Sequence, residues 1–187
     1  LARSLRAHGW VREMSERESV AARYPEIDDR FLFLTPGWNL RPTEMAAAMG
    51  RCQLQRLEAW TERRRQNHQL WCEKLSGFES DLRVFPERPG TRHAAFAFPL
   101  LLQGSLAGRR KALTAHLESR GIQTRPISGS NLARQPAFAR IPGARIAGSL
   151  QVADDVHVHG LFVGNSHAFS EGHGDLLATS ISEFLNA

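Results

Sequence analysis

The sequence predicts an α/β protein in which a long helical region precedes a compact unit of strands and helices. Apolar residues recur at helical spacing from Thr43 to Leu75, and Gly77 follows as a stop signal. Between Ala94 and Ile127 the pattern changes to strand, helix and strand, which is typical of α/β folds. With 187 residues, of which 42% are hydrophobic, the chain can bury a core without disulfides or metal.

The residues before the helical region show little regular pattern. From Leu1 to about Arg30 the sequence is polar and irregular, so we expect no core element there. Phe31 to Leu34 form a short apolar run that ends at Pro36-Gly37, which predicts a strand followed by a turn.

The helical region has a predicted start, a predicted break and a charged face. Thr43 is the predicted N-cap, because its hydroxyl can accept hydrogen bonds from the first unpaired amides. Since about thirty residues is long for one globular helix, we expect a break between Leu57 and Ala59. The run Arg63-Arg64-Arg65 lies at helical spacing from two glutamates, which predicts a solvated, salt-bridged face. The apolar stripe of this region consists of Met45, Met49, Cys52, Leu54, Leu57 and Trp60.

After the helical region the predicted elements alternate between strands and helices. A crossover helix between two strands fits a parallel or mixed sheet, and Pro126 restricts its strand to an edge or an end of the sheet. Phe96, Phe98, Leu100 and Leu102 are predicted to share one face of the best strand. The predicted elements are, in order, strand Arg83–Phe85, strand Ala94–Leu102, helix Leu106–Arg120 closed by Gly121, strand Ile122–Ile127, helix Arg145–Val158, strand Leu161–Val163, and a helix capped by Ser170 that ends near Leu185.

Charge and composition exclude several classes of protein. The formal charge is +5, and 22 of the 24 basic residues are arginines, because Lys74 and Lys111 are the only lysines. Arginine binds phosphate and carboxylate in a bidentate fork, so this excess suits phosphorylated small molecules as well as nucleic acid. The sequence contains no recognisable nucleic-acid module and no apolar run long enough to span a membrane, so we expect neither partner. Cys52 and Cys72 are too few for a disulfide framework, which favours a reducing cytoplasm.

A first candidate site is the loop Pro36–Pro42, directly before the predicted helix start. Gly37 allows a tight turn, the helix N-terminus offers unpaired amides, and Asn39 and Arg41 add donors. This combination suits a bound phosphate. The alternative, a capped loop that enters a helix without any ligand, stays open.

A second candidate site is the loop Thr124–Pro136. It follows a predicted strand, where α/β proteins commonly bind ligands. Arginines, serines and an asparagine are gathered in this loop, among them Arg125, Ser130 and Asn131. A solvated loop without a ligand is the alternative.

The sequence lacks the motifs of several enzyme classes. There is no serine-hydrolase elbow, Walker loop, H-E-x-x-H or Rossmann glycine triplet. Both lysines fall on polar faces of predicted helices, whereas a Schiff-base lysine needs a desolvated pocket. No carboxylate or thiolate is spaced to complete a metal site with the histidines of the C-terminal region, so we expect no metal. These histidines are His157, His159, His167 and His173.

Several stretches resemble the pyridoxal-phosphate-dependent nucleotide-sugar aminotransferases and dehydratases of the DegT/DnrJ/EryC1/StrS type. The resemblance is carried by Arg6–Trp10, Phe31–Met45 and the helix from Gln53 to Arg65. Gly121–Pro136 and Gly160–Asn165 look most like the dehydratase branch, since the sugar aminotransferases usually carry a His-Tyr-type motif after the Gly-Ile strand. The similarity runs in order along essentially the whole chain.

The resemblance implies a fold and a division into domains. It predicts the C-terminal part of an aspartate-aminotransferase fold, which is fold type I of the pyridoxal-phosphate (PLP) enzymes. Residues 1–42 are then the end of the large PLP-binding domain, residues 43–77 the connecting helices, and residues 78–187 a small α/β domain. Because the family's catalytic lysine or histidine precedes the matching region, we expect no catalytic residue in this segment and no activity from it alone.

The resemblance also implies a reaction and its site residues. It predicts a dehydratase of polysaccharide biosynthesis that uses PLP and its aminated form, pyridoxamine phosphate (PMP). The enzyme would remove the C3 hydroxyl of a nucleotide-linked 4-keto-6-deoxyhexose, with glutamate as amino donor. In this family the asparagine of a Gly-aromatic-Asn loop reaches the cofactor phosphate of the partner in a homodimer, and Asn39 matches it, with Arg41 nearby. Arg125, Ser130 and Asn131 are expected near the sugar or its diphosphate.

Two alternatives to the dehydratase stay open. A PLP-dependent nucleotide-sugar 4-aminotransferase differs by an upstream lysine in place of histidine. A non-catalytic scaffold domain would keep the fold without the reaction.

Overall fold

The structure is a computed structural model that describes residues 1–127 and 131–187. The chain divides into two compact units, residues 1–55 and residues 56–187. The predicted division at residues 42 and 77 stays a prediction. The helices are α1 (Ala2–Leu5), α2 (Arg17–Ala21), α3 (Glu44–Lys74), α4 (Arg110–Ser119), α5 (Gln151–His159) and α6 (Glu171–Leu185). The strands are β1 (Leu82–Arg83), β2 (Ala97–Leu102), β3 (Thr124–Pro126) and β4 (Gly160–Gly164).

Residues 1–55 contain a small core, so the expectation that residues 1–30 hold no core element is wrong. Val11, Val20 and Leu32 are buried together. They come from three short segments that are joined by polar turns, so no helical or strand period connects them in the sequence. Phe33 forms only an isolated antiparallel bridge with Trp10, where a strand was predicted.

Helix α3 runs without interruption for 31 residues, so the predicted break between Leu57 and Ala59 is wrong. The residues at the expected break are good helix formers, and no proline interrupts the hydrogen-bond ladder. The predicted cap is confirmed, because the amide of Ala46 donates to the Thr43 hydroxyl at 3.2 Å.

The sheet of the second unit has the strand order β1-β2-β4-β3, and each neighbouring pair is antiparallel. The prediction of a parallel or mixed sheet is therefore wrong. Strands β2 and β3 do run in the same direction around α4, but β4 lies between them and pairs with both. Pro126 lies at the end of the edge strand β3, as predicted.

One face of the sheet packs against helices and forms the main core. Phe98, Leu100 and Leu102 alternate along β2 and are buried against α4 and α6 residues such as Leu113. Phe96, predicted to share this face, is instead 72% exposed. Ala95 has a φ of +47°, so the backbone turns just before β2 begins and breaks the alternation.

Two predicted helix boundaries are confirmed, whereas the helix predicted over Arg145–Val158 begins six residues late, because α5 spans Gln151–His159. Gly121 follows α4 with a φ of +79°, the left-handed conformation expected of a helix stop. Ser170 and His173 form a reciprocal capping box at the start of α6, which ends at Leu185. Within the described residues, no helix is both long and apolar enough to cross a membrane.

Candidate functional site

The main chain of the loop 36–42 is held by residues 5–9. The amide of Trp38 donates to the carbonyl oxygen of Leu5 at 2.8 Å, and the amide of His8 donates to the carbonyl oxygen of Trp38 at 2.9 Å. The amide of Leu40 donates to Arg6 in the same way, at 2.9 Å. Asn39 lies between these bonds, in an antiparallel bridge with Ala7. Its backbone position is therefore fixed from both sides.

Gly37 serves a close contact in this loop. Its φ lies outside the left-handed range, so the predicted tight turn is not the reason for a glycine. A Cβ atom at Gly37 would lie 2.3 Å from the amide nitrogen of Gly9, far inside van der Waals contact. The glycine therefore lets two backbone segments touch.

The side chains of the predicted phosphate-binding residues lie at the surface. Asn39 is exposed, and in the described part of the chain its amide group makes no hydrogen bond. Arg41 is also exposed, and its guanidinium carbon lies 5.8 Å from the centre of the Trp10 ring. An amide donor and a cation on a rigid, exposed loop are chemically suited to a phosphate ligand. Their role stays a prediction.

Neither lysine of the chain resembles a cofactor anchor. Lys74 donates to Asp175 and Glu171, and the hydrogen bond with Asp175 is the main cause of its raised pKa. A lysine held in its protonated form is a poor nucleophile. Lys111 is exposed on α4, whereas a Schiff-base lysine needs a desolvated environment.

Arg125 borders a cavity in the second unit. It lies on β3 directly opposite Phe162 of β4, and its side chain is exposed. The cavity has a volume of about 510 Å³ and is lined mainly by apolar and aromatic side chains, among them Trp71, Phe96, Phe162, Phe169 and Leu177. An arginine beside an apolar cavity is suited to a ligand with an anionic group. Binding of the nucleotide sugar by Arg125 stays a prediction. Ser130, the second predicted substrate residue, lies outside the described residues.

Asn131, the third predicted substrate residue, uses its side chain within the protein. It is only 6% exposed. Its Oδ1 accepts from the amide of Ala133 at 3.0 Å, and its Nδ2 donates to Asp154 Oδ1 at 2.9 Å. Its backbone amide also donates to His157 Nδ1 at 3.3 Å. A contact between Asn131 and substrate stays a prediction, and it would require these bonds to rearrange.

A charged pair reinforces this arrangement. Arg134 donates to both carboxylate oxygens of Asp154. The pKa of Asp154 is lowered to about 2, mainly by its hydrogen bonds with Arg134 and to a smaller extent by the hydrogen bond from Asn131. Asp154 therefore stays ionised at neutral pH and holds the loop residues 131–134 against α5.

Asn165, part of the stretch Gly160–Asn165, has a structural role that its sequence pattern does not predict. The side chain is 5% exposed, and its Nδ2 donates to the carbonyl oxygens of Arg64 and Ala95, both at 2.8 Å. Asn67 of α3 donates to Asn165 Oδ1 at 3.3 Å. The amide thus ties the end of β4 to α3 and to the turn before β2. The signal in the sequence is the Gly164-Asn165 pair directly after an apolar strand.

Three of the four histidines of the C-terminal region accept hydrogen bonds, and the fourth, His167, stacks on the ring of Trp60. His157 Nδ1 accepts from Asn131, and His159 Nδ1 accepts from the amide of Gly108. Elsewhere, burial of His68 between α3 and the sheet lowers its pKa to about 4, so its ring is neutral at pH 7. Over residues 1–127 and 131–187, no three histidine, cysteine or acidic side chains are placed to hold a metal ion.

Comparison with known proteins identifies relatives of known activity. The chain is 32% identical over 163 residues to GDP-4-keto-6-deoxy-D-mannose 3-dehydratase of Yersinia pseudotuberculosis, covering 86% of this chain and 41% of that protein. It is also 32% identical over 161 residues to dTDP-4-dehydro-2,6-dideoxy-D-glucose 3-dehydratase of Saccharopolyspora spinosa, covering 86% of this chain and 34% of that protein. The chain thus spans about two fifths or less of the length of these relatives.

The fold has a close counterpart among solved structures. A crystal structure of GDP-4-keto-6-deoxymannose-3-dehydratase with a trapped PLP-glutamate geminal diamine superimposes with a TM-score of 0.81 at 28% sequence identity. The match covers 94% of this chain and 45% of that one. The prediction that the chain has the fold of the C-terminal part of a fold type I PLP enzyme is confirmed.

The family resemblance is confirmed over nearly the whole length of the chain. The model of the DegT/DnrJ/EryC1/StrS aminotransferase family matches residues 1–181, which include both candidate loops and all four strands. The chain belongs to the DegT/DnrJ/EryC1/StrS aminotransferase family.

Proposed function

We propose that the protein containing this chain is a PLP- and PMP-dependent nucleotide-sugar 3-dehydratase, which removes the C3 hydroxyl of a 4-keto-6-deoxyhexose. Two 3-dehydratases acting on sugars with different nucleotides are each 32% identical to the chain, which supports the reaction more than any one nucleotide. The structural observation that carries the cofactor part of the proposal is Asn39, whose exposed amide has no hydrogen bond in the described residues on a loop fixed through its main chain.

Asn39 and Arg41 would hold the phosphate of the cofactor. When bound, PLP or PMP supplies an electron sink for bond breaking next to the sugar carbonyl. The Asn39 Nδ2 group donates a hydrogen bond to a phosphate oxygen, and the Arg41 guanidinium balances the phosphate charge. A dehydratase with histidine in place of the anchoring lysine has no covalent tether, so contacts to the phosphate, these two among them, would have to hold the cofactor.

The phosphate held by Asn39 would belong to the partner subunit of a homodimer. The first half of α3, which follows the Asn39 loop, supports this arrangement, because it exposes large apolar side chains. Met45 is 78% exposed, and Met49 and Leu54 are each 66% exposed. Monomeric proteins seldom leave such a stripe uncovered. A second copy of the chain would cover it.

Arg125 would bind an anionic part of the nucleotide sugar, and glutamate would restore the aminated cofactor. A relative's crystal structure contains a PLP-glutamate adduct, which supports glutamate as the amino donor. The two lysines of the chain are not suited to catalysis, so the 187 residues alone would be inactive. Both Cys52 and Cys72 are free thiols, which agrees with a reducing cytoplasm as the site of the reaction.

Cofactor affinity of the full-length protein tests this proposal. Replacing Asn39→Ala should weaken binding of PLP by about tenfold or more, because one charge-assisted hydrogen bond to phosphate is lost. Asn186→Ala is the matched control, since Asn186 is an exposed asparagine at the C-terminal end of α6. Unchanged PLP affinity in Asn39→Ala would contradict the assignment.

Product analysis separates the dehydratase from the aminotransferase. With glutamate and a nucleotide-linked 4-keto-6-deoxyhexose, the dehydratase should release a keto sugar that lacks the C3 oxygen. Mass spectrometry of the sugar product checks this. A product that keeps the C3 hydroxyl and carries an amino group at C4 would instead identify a 4-aminotransferase.

A further inference from the structure

We propose that Gly37 and the corner formed by His8 and Gly9 position Asn39 for the cofactor phosphate. This inference rests on the proposed function, because it takes Asn39 as the phosphate ligand. It assigns a role to the stretch Arg6–Trp10, which carries part of the family resemblance and to which the proposed function gives no contact with the cofactor.

The backbone at Gly37 lies directly against the backbone of residues 5–9, with no room for a side chain between them. A Cβ atom at Gly37 would lie 2.3 Å from the nitrogen of Gly9, 2.6 Å from the carbonyl carbon of His8 and 2.7 Å from the carbonyl oxygen of Leu5. Real Cβ contacts are never this short, and main-chain atoms cannot rotate away as a side chain can. Any larger residue at position 37 would push the Asn39 loop off residues 5–9.

The corner at His8 and Gly9 has an unusual backbone conformation. His8 has a φ of +63°, and it is one of two non-glycine residues with positive φ in the described chain. Gly9 has a φ of +86°, and a Cβ there would lie 1.7 Å from the carbonyl oxygen of Thr35. A non-glycine residue in the left-handed region is unfavourable and persists where its surroundings require it.

The corner anchors the loop on both sides of Gly37. Through it, the Gly9 carbonyl oxygen accepts from the amide of Leu34 at 3.0 Å, and the His8 amide donates to the Trp38 carbonyl oxygen at 2.9 Å. Asn39 follows directly after Trp38. The Asn39 side chain has no hydrogen bond of its own in the described residues. The position of its side-chain amide therefore depends on the position of the backbone. A small displacement would therefore reduce its contact with phosphate.

The test compares PLP with pyridoxal, which lacks the phosphate, in the full-length protein. Asn39→Ala and Gly37→Ala should each lower the ratio of PLP affinity to pyridoxal affinity by about tenfold, the loss expected of one charge-assisted hydrogen bond. A change that only weakens the fold would lower both affinities alike and leave the ratio unchanged. Gly77→Ala is the control, since a Cβ at Gly77 meets no atom within 4 Å and Gly77 lies outside the exposed stripe of α3.

The double variant Gly37→Ala/Asn39→Ala makes the test specific. If Gly37 acts through Asn39, the double variant should show the same ratio as Asn39→Ala alone. A ratio unchanged in Gly37→Ala, or two losses that multiply, would overturn the positioning role while leaving Asn39 as a phosphate ligand. A ratio unchanged in Asn39→Ala itself would overturn the proposed function, and the positioning role with it.

A milder pair of variants answers the same question if Gly37→Ala does not fold. His8 is exposed, so its replacement does not disturb a core. His8→Gly keeps the left-handed corner and should leave the ratio unchanged, whereas β-branched His8→Val disfavours the corner and should lower the ratio about threefold. Equal losses in both variants, or no loss in either, would overturn the proposal.

Discussion

The two candidate loops are held in opposite ways. The loop 36–42 is fixed by main-chain hydrogen bonds and a glycine contact, and its Asn39 side chain makes no hydrogen bond in the described residues. Residues 131–134 are fixed through side chains, because Asn131 and Arg134 both bind Asp154. A loop that is held by its backbone leaves its side chains for a ligand, whereas a loop that is held by its side chains does not.

This difference separates residues that looked equivalent in the sequence. Asn39 and Asn131 are both asparagines in polar loops beside predicted elements. Asn39 is exposed, whereas Asn131 is 6% exposed and satisfies both ends of its amide internally. The contrast gives a matched pair of substitutions.

The largest expected effect is on stability, from Asn131→Ala. The substitution removes two side-chain hydrogen bonds at a buried position, which should lower the free energy of unfolding by about 2 kcal/mol. Asn39→Ala should change the free energy of unfolding by less than about 0.5 kcal/mol, since it removes no internal bond. Chemical denaturation of both variants measures the difference.

The stabilities of Asn39→Ala and Asn131→Ala test whether the two loops are held in different ways. Equal stability losses in the two variants would show that Asn39 also has a structural partner. A stable Asn131→Ala protein with weakened substrate binding would instead return Asn131 to the substrate site.

A smaller loss is expected at Thr43, which follows the first loop. Its hydroxyl accepts one hydrogen bond, from the amide of Ala46, at an exposed helix start. Thr43→Ala should therefore lower the free energy of unfolding by about 0.5–1 kcal/mol, less than Asn131→Ala. Thr43→Ser, which keeps the hydroxyl, is the control in the same denaturation experiment. A loss as large as that of Asn131→Ala would mean that the first loop depends on side chains as well.

The sequence predicted local features better than it predicted how they assemble. The Thr43 cap, the Gly121 stop and the edge position of Pro126 follow from the chemistry of single residues, and the structure confirms them. The antiparallel sheet was missed, because the insertion of β4 between β2 and β3 is a long-range pairing that local periodicity does not contain. The exposure of Phe96 was missed because it depends on the backbone turn at Ala95.

The candidate site was predictable in its residue types but only partly in its geometry. The sequence predicts that Gly37 allows a tight turn, whereas in the structure Gly37 allows a close backbone contact with Gly9, 28 positions away in the sequence. The buried state of Asn131 depends on Asp154 of α5, which no spacing rule connects to it. Ligand residues whose conformation is set by distant partners cannot be separated from structural ones by pattern alone.

The smallest expected effect is the loss of stability at low pH, when Asp154, which holds residues 131–134, becomes protonated. The pKa of Asp154 is lowered from 3.8 to about 2, mainly by its hydrogen bonds with Arg134. A carboxylate with a lowered pKa stabilises the fold above the pKa of the unfolded chain, so this contribution should be lost as the pH falls from about 4 to about 2. The Asp154 carboxyl resonance in NMR should therefore titrate near pH 2, and the amide of Ala133 should follow it, because Asn131 connects the two.

Arg134→Gln removes the main cause of that shift and sharpens the contrast between the loops. The Asp154 titration should then move up towards its ordinary value, because a neutral amide stabilises the carboxylate less than a guanidinium does. The amides of residues 36–42 should not sense the change, since their hydrogen bonds join main-chain groups that do not titrate in this range. A midpoint unchanged by Arg134→Gln would show that the pair with Arg134 does not hold the second loop. Amides of residues 36–42 that titrate with Asp154 would remove the distinction between a loop fixed by backbone and one fixed by charge.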